Sequence, residues 1–379
     1  MTIMNRRLLF VVNVDWFFLS HRLPIALEAQ RQGYQVHIAT GLTDKLDELQ
    51  SHGLVVHPLA LDRSSAGLGN AWRTMVELWS VFRAVRPDVV HLVTIKPVLL
   101  GGLVARLAGV SAVVAAVSGL GFVFMAHGAK AAVRRWLVGG LYRVALGHPN
   151  LKVIFQNPDD LRSLAKVAHL PAAKVAMIRG SGVDLARYAH VPMPGGVPVV
   201  LLAARLLADK GVLEFVQAAR LLKQRGCNAR FVLVGTVDSA NPTSFTDAEV
   251  SAWLHDGVVE WWGHRADMPQ VLAAAHLVVL PSYREGLPKI LLEAAACGRA
   301  VVTTDVPGCR DAVTPGVTGI LVPARNFLAL SDALEALIND PIRCRDMGDA
   351  GRLLAEHSFD VQRVVVKHLD IYQELIEKS

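Results

Sequence analysis

The chain has 379 residues, 52% of them hydrophobic and only 19% charged, with a net charge of +6. That length gives a prior of two to three domains, and the apolar fraction speaks against disorder and for a large buried core. The basic excess is small and comes without an aromatic-basic ladder or zinc-finger spacing, which excludes a nucleic-acid partner and suits an anionic small molecule or an acidic membrane surface.

At the amino end, Asn5-Arg6-Arg7 followed by Leu8-Leu9-Phe10-Val11-Val12 imitates a signal peptide. Asn13 and Asp15 interrupt the apolar run early and no small-residue cleavage site follows, so the segment is read as a first strand, Leu8–Val14. Short β-branched runs then predict strands at Gln35–Thr40, Leu54–Ala60, Val89–Val93, Val113–Val117 and Lys152–Gln156. A helix is expected over Ala71–Val85, with Trp72, Met75, Val76, Trp79 and Phe82 on one face. Leu107–Ala126 carries no charge and is long enough to span a bilayer, but Gly109, Ser111, Ser118, Gly119 and Gly121 favour a buried strand that ends in a glycine loop. From 122 to 146, Phe122-Val123-Phe124-Met125 precedes Lys130, Arg134, Arg135, Trp136 and Arg143. This segment fits a helix lying in an anionic bilayer interface as well as it fits an amphipathic helix packed on the first sheet.

A composition break follows Gly180, and Ala189–Pro198, with three prolines and two adjacent glycines, has linker chemistry. A second series of strands is predicted at Val199–Ala204, Arg230–Val234, Val258–Trp262, Leu277–Leu280, Ala300–Thr303 and Gly319–Val322. Strands apolar on both faces and separated by helices imply an α/β protein of two doubly wound, Rossmann-like domains facing a cleft. The expected boundaries are 1–185 and 186–357, and Phe359 through Tyr372 to Ile376 reads as a C-terminal helix. The four cysteines, Cys227, Cys297, Cys309 and Cys344, form no close pair and no metal-type spacing, as expected of reduced thiols in a cytoplasmic protein.

Ligands of open parallel sheets bind beyond the carboxyl ends of the strands, so polar residues directly after apolar runs are the informative ones. Arg205 follows one such run, with Lys210 close behind; together they suit a diphosphate, although a salt-bridged surface pair fits each alone equally well. Gly235 follows a second run, and Pro281-Ser282-Tyr283-Arg284-Glu285-Gly286 a third. In Leu287–Cys297, Pro288 suits the first helical position and only Lys289 and Glu293 are charged. Glu293 therefore lies in a buried helix and needs a partner: a ligand's hydroxyls, or Lys289 one turn back. Glu285 stands just before that helix, whose amino end carries unpaired N–H groups suited to a phosphate. A ligand anionic at one end and polyhydroxylated at the other is a nucleotide sugar. No Gly-x-Gly-x-x-Gly follows the first strand, which argues against an NAD-dependent dehydrogenase.

Glu285-x7-Glu293 within Arg284-Glu285-Gly286-Leu287-Pro288, together with Arg205 and Lys210, resembles the donor signature of glycosyltransferase family 4, of GT-B fold. Gly180-Ser181-Gly182-Val183-Asp184, Trp262-Gly263-His264-Arg265 and Gly316-Val317-Thr318-Gly319 fit in order. Ser118-Gly119-Leu120-Gly121 and Leu280-Pro281-Ser282-Tyr283 are similar to bacterial members that extend lipid-linked oligosaccharides. The resemblance implies a retaining transfer of a hexosyl or N-acetylhexosaminyl group from a nucleotide sugar, most often UDP-linked, with no metal and no other cofactor. It assigns Arg205 and Lys210 to the diphosphate, Glu285, Gly286 and Leu287 to the transferred sugar and Glu293 to the ribose, with Gly235, Gly263 and Arg265 also on the donor side. Catalysis would fall to Arg205, Lys210 and Glu285. It also implies that the C-terminal helix, 358–379, returns to the first domain.

The acceptor would be a polyprenyl-pyrophosphate-linked saccharide, with His21, Arg22, Lys96, Ser118, Gly119 and His127 as candidate contacts. Relatives often have a glycine-rich loop after the first strand, where this chain has Asp15-Trp16-Phe17-Phe18-Leu19-Ser20-His21-Arg22. Some carry an acidic residue or histidine where this chain has Ser118, so the acceptor-activating group is not assigned. The enzyme is expected to be peripheral on the inner face of the cytoplasmic membrane. A sugar-nucleotide 2-epimerase and a non-catalytic nucleotide-sugar-binding subunit are the competing readings.

Overall fold

The structure, a computed structural model, describes residues 6–61, 67–120 and 138–379. The chain folds into two compact units, Met1–Ser181 with Gln362–Ser379, and Gly182–Val361. The first contains β1 (Arg6–Val14), α1 (Asp15–His21), α2 (Leu23–Arg31), β2 (Tyr34–Gly41), α3 (Leu46–Ser51), β3 (Val55–Pro58) and α4 (Leu68–Val85). It continues with β4 (Val89–Val93), α5 (Gly102–Leu107), β5 (Ala112–Val117), β6 (Leu151–Phe155), α6 (Pro158–Ala168) and β7 (Val175–Met177). Its strands form a parallel sheet in the order β3-β2-β1-β4-β5-β6-β7. Strand order reverses between β1 and β4, so the loops after these two strands diverge and leave a crevice at the carboxyl rim.

The second unit holds β8 (Val199–Ala203), α7 (Val212–Gln224), β9 (Arg230–Val234), α8 (Asp247–His255), β10 (Glu260–Trp261), α9 (Met268–Ala273) and β11 (Leu277–Leu280). After these come α10 (Lys289–Ala296), β12 (Ala300–Thr304), β13 (Gly319–Val322), α11 (Phe327–Ile338) and α12 (Pro341–Ser358). The sheet is again parallel, ordered β10-β9-β8-β11-β12-β13, with its reversal between β8 and β11. Strands β8, β11 and β12 are buried along their whole length, which is why they read as unbroken apolar runs.

Four expectations need correction. The run 189–198 is not a linker between units, because the chain enters the second unit at Gly182. The buried Arg299 guanidinium donates to the Pro192 carbonyl at 3.2 Å, and His190 pairs with Asp349 at 2.9 Å, so the run is held down. In α4, Leu78 and Phe82 face the core, but Trp72, Val76 and Trp79 are exposed: the helix has two apolar stripes, and only one is covered. The expected third strand shrinks to β3, an edge strand with Val55 exposed, and β7 was not foreseen because three half-buried residues carry no alternation to detect. The residues after β1 form helices rather than a loop, since Asp15 is buried and its carboxylate accepts from the Thr43 amide at 2.6 Å and the Thr43 hydroxyl at 2.8 Å.

Within Leu107–Ala126, Leu107 ends α5 and Ala112–Val117 is the buried strand β5; residues 121–126 lie outside the described residues. Among the described residues no helix is long and apolar enough to cross a membrane. His127 and the basic segment through residue 137 are likewise outside the described residues, while 138–145 is helical.

The last helix, α13 (Val361–Glu377), contributes Gln362 onward to the first unit. Lys152 on β6 pairs with Glu374 at 2.9 Å, and the Asn150 amide donates to the Leu375 carbonyl at 2.7 Å. Beneath the helix lies a buried polar cluster. His91 Nδ1 is 2.6 Å from the Tyr372 hydroxyl, and the His91 ring stacks on His368 with centroids 5.5 Å apart. Burial, mutual repulsion and the nearby Arg22 hold His91 well below the usual imidazole range; burial, then Arg22, pushes His368 down to about 3.

Both imidazoles are therefore neutral in the fold, and each takes up a proton on unfolding once the pH is below the ordinary value of 6.5. The unfolded state then binds more protons, so stability rises with pH up to that value and is level above it. Each ring contributes at most about 1.4 kcal/mol per pH unit. Thermal melts should show the melting temperature falling from about pH 7 to pH 5, and replacing His91 and His368 by Gln should flatten that slope.

Candidate active site

The carboxyl rim of the second sheet collects the residues that the sequence marks. Gly235, directly after β9, has φ +134°, and a Cβ there would lie 1.9 Å from the Ala204 carbonyl, so only glycine lets these two loops meet. Its amide donates to the Gly263 carbonyl at 2.8 Å, and the Trp261 indole donates to its carbonyl at 2.8 Å. The loops after β8, β9 and β10 are thus fastened together, bringing Arg205, Gly235 and Gly263 to one place. Arg205 donates to Asp238 at 2.7 Å while its side chain stays 38% exposed.

Lys210 ends a short 3-10 turn, Ala208–Lys210, and its ammonium pairs with Glu285 Oε1. The Ser282 hydroxyl donates to the same oxygen at 2.7 Å, and the Tyr283 amide donates to the Asp209 carbonyl at 2.9 Å. The loops after β8 and β11 are therefore joined across the switch point. Both candidate cations are salt-bridged, as the alternative reading of each allowed: Arg205 to Asp238 and Lys210 to Glu285. A diphosphate approaching this rim meets two fixed positive groups that are already oriented.

Helix α10 begins at Lys289, one residue later than expected: Pro288 has ψ 121°, which is extended, and caps the helix from outside. Glu293 is buried in it as expected. It finds a protein partner, Lys289 Nζ 3.3 Å away, and its charge bears on the buried Tyr188 phenol. Burial and then the Glu293 charge raise the Tyr188 phenol well above its ordinary value. The Lys289 pair expected as one alternative is thus present, and Glu293 is oriented before any ligand hydroxyl meets it.

Several contributors escaped the sequence reading. Tyr283 donates to the buried Glu214 carboxylate on α7 at 2.6 Å, and the Arg325 guanidinium covers its ring at 4.5 Å. Burial and the Glu214 bond push the Tyr283 phenol up to about 12. Tyr283 thereby braces the Lys210 and Glu285 loops from outside. Gly308 (φ +83°) presses against the same segment: a Cβ there would lie 2.4 Å from the Glu285 carbonyl and 2.7 Å from that of Gly286. Pro307-Gly308 was legible as a turn signal, but not its target. Leu287 is buried, and Arg265 forms a two-point pair with Asp267 at 2.7 and 2.5 Å on an exposed edge.

The first unit has its own polar rim. Arg22, between α1 and α2, is 2% exposed; its Nη1 donates to the His21 carbonyl at 3.0 Å and its Nη2 approaches Ser118 Oγ at 3.5 Å. Its Nε is buried without a partner, and among the described residues Arg22 meets no carboxylate. Burial lowers its pKa to about 10. The structure thus brings Arg22 and Ser118 together and sets Gly119 (φ +121°) beside them. His21 stacks on Phe17 at 4.1 Å and lies 2.6 Å from the Ser20 hydroxyl, partly exposed. Lys96 follows β4 on the same rim, two residues after Thr94, a β-branched residue held at φ +74°. A strained residue at a strand end is a recurrent mark of a functional rim, and it leaves no trace in sequence.

Two parallel-sheet Rossmann-like domains with this rim chemistry define a GT-B architecture. Sucrose-phosphate synthase from Thermosynechococcus elongatus superimposes with a TM-score of 0.80 over 99% of this chain and all of that one, at 20% identity, a likeness of fold. The glycosyl transferases group 1 family matches residues 197–340, and the glycosyl transferase 4-like family matches residues 7–156. The amino-terminal half thus carries a glycosyl transferase 4-like domain and the carboxy-terminal half a glycosyl transferases group 1 domain, and the chain is a glycosyltransferase.

Among its relatives is the N,N'-diacetylbacillosaminyl-diphospho-undecaprenol alpha-1,3-N-acetylgalactosaminyltransferase of Campylobacter jejuni, 27% identical over 95% of this chain and 98% of the relative. Another is the UDP-Gal:alpha-D-GlcNAc-diphosphoundecaprenol alpha-1,3-galactosyltransferase of Escherichia coli, 25% identical over 80% of each chain.

The Gly308 contact yields a test away from any charged group. Gly308→Ala should push the Glu285–Gly286 backbone aside and lower kcat/KM by about 100-fold, the scale of an ångström-sized misplacement. Far-UV circular dichroism should be unchanged, and wild-type kinetics in the variant would show that this loop does not shape the site.

Proposed function

We propose that this enzyme transfers a hexosyl or N-acetylhexosaminyl group from a UDP-sugar to a polyprenyl-diphosphate-linked saccharide, with retention of configuration and without a metal ion. The observation that carries the reading is the joint of Lys210, Ser282 and Glu285 at the amino end of α10, with Glu293 buried and oriented inside that helix. The diphosphate would lie against Arg205, Lys210 and the first N–H groups of α10, where positive charge stabilises the leaving group. Glu285 with the backbone of Gly286 and Leu287 would hold the transferred sugar, and Glu293 would accept hydrogen bonds from the ribose hydroxyls. Gly235, Gly263 and Arg265 would complete the nucleotide's surroundings.

The names of the two relatives support the acceptor class. They act on different diphosphoundecaprenol-linked sugars and share an alpha-1,3 linkage, and one names UDP-Gal as donor. In the first unit the buried Arg22, without a carboxylate, and Ser118 would receive the acceptor, with His21, Lys96 and Gly119 along the same rim. Retention would proceed by attack on the face the diphosphate leaves, a donor phosphate oxygen taking the acceptor proton. The enzyme would work as a peripheral protein on the inner face of the cytoplasmic membrane.

The test is to incubate the enzyme with individual UDP-sugars and lipid-diphosphate saccharides, identify products by mass spectrometry and read the new anomeric configuration by NMR. An inverted product would overturn retention, and conversion of UDP-GlcNAc without any acceptor would indicate a 2-epimerase. Turnover that chelation leaves unimpaired and that added divalent cations do not raise is the result expected of a metal-free reaction. Arg205→Ala should lower kcat by about 100-fold, the usual scale for a lost electrostatic stabiliser. Glu293→Gln should weaken UDP binding by about tenfold, consistent with one charged hydrogen bond; unchanged kinetics in both would sink the site assignment.

A further inference from the structure

Helix α4 carries an exposed stripe that nothing in the chemistry above uses. Trp72, Val76 and Trp79 are 67%, 52% and 39% exposed, at helical spacings that put them on one face. Arg73 and Arg83 are exposed beside them. The helix has a single carboxylate, Glu77, which is turned inward: one oxygen holds Arg73 at 3.0 Å and the other accepts from the Ala60 amide at 2.8 Å. The outward face is therefore aromatic, aliphatic and basic, with no free acid. The opposite face is the one that packs, through Leu78, Phe82 and Val85.

We infer that this face of α4 is the surface by which the enzyme docks on an anionic phospholipid bilayer. Tryptophan is favoured at the headgroup level, where its ring is half in hydrocarbon and its N–H stays wet, and arginine alongside answers lipid phosphate. Charge decides between a lipid surface and an acid-rich protein groove only in part; topology adds the rest. Because α4 connects parallel strands β3 and β4, it runs against them, and its amino end, with Trp72 in the second turn, lies toward the carboxyl rim of the first sheet. That is the rim of Arg22, Lys96 and Ser118. A bilayer on α4 thus sits beside the place where a lipid-anchored acceptor would present its diphosphate. This topological argument for a lipid occupant rests on the acceptor class proposed above; the exposed aromatic and basic stripe does not.

The experiment uses the full chain and vesicles of phosphatidylglycerol with phosphatidylcholine, against phosphatidylcholine alone. Wild type should sediment with the anionic vesicles at low salt and release as salt rises. Brominated lipid should quench its tryptophan fluorescence, a readout that needs no variant. The triple variant Trp72→Ser, Val76→Ser, Trp79→Ser should keep its melting temperature and lose vesicle affinity by about tenfold or more. It should turn over a short-chain, water-soluble diphosphate acceptor as wild type does, yet act more slowly on a long-chain acceptor in vesicles. Equal sedimentation of variant and wild type, or absence of quenching, overturns the docking face. So does a wild-type dimer in light scattering that the variant dissolves, since the stripe would then cover a second copy. If vesicle binding is lost in the variant while no lipid-diphosphate acceptor is used by wild type, the docking face stands and the proposed acceptor fails.

Discussion

The Lys210–Glu285 pair is the constraint around which the second unit is arranged. It closes the crevice that parallel topology opens between β8 and β11, where the sheet reverses its order. Neither side chain is freely solvated, at 20% and 13% exposure, so each would carry a desolvation cost of several kcal/mol if its partner were removed. Ser282 adds a neutral donor to the same carboxylate oxygen, and Tyr283, one residue on, ties the backbone to Asp209. Three consecutive kinds of contact from one short loop thus fix a cation and a carboxylate at the amino end of α10. Such a loop would bind an anion without first having to order itself, which is the advantage of preorganised electrostatics.

The first unit is arranged around the opposite condition. Arg22 is more deeply buried than Lys210 and has backbone and hydroxyl contacts in place of a carboxylate. Its charge also bears on His91 and His368, which are kept neutral beneath α13. The two buried neutral bases each keep one polar partner there: the Tyr372 hydroxyl meets His91 and the Val364 carbonyl meets His368 Nδ1. The last helix is consequently fixed by polar contacts as well as apolar ones. Its return to the first unit follows from that cluster, not from hydrophobic periodicity alone.

Much of this was legible because the relevant chemistry is local. Unbroken apolar runs become β8, β11 and β12, and a lone carboxylate in an apolar helix becomes the buried Glu293. What stayed hidden depends on partners far along the chain. Asp238 reaches Arg205 over 33 residues, Glu285 reaches Lys210 over 75, and Tyr188 bears on Glu293 from a distant stretch of the chain. The strain at Thr94 has no sequence signature, because β-branched residues normally avoid that backbone region. In α4 the periodicity was real but ambiguous: residues at helical spacing form a stripe on each side, and sequence cannot say which one the sheet will cover.

That ambiguity separates the two halves of the enzyme's task. In the proposed reading, donor recognition would depend on contiguous residues, Glu285 to Glu293, and so survives in sequence as a motif. On the same reading, acceptor recognition would depend on three loops that meet only in the folded first unit, after β1, β4 and β5, and would leave scattered, individually weak residues. A water-soluble donor asks nothing of the protein beyond its pocket. An acceptor held in a lipid surface also fixes the direction from which it must be approached. On the proposed docking, the solvent face of α4 would become part of acceptor recognition without touching the acceptor, its exposed tryptophan pair setting how the first unit is held at the lipid surface.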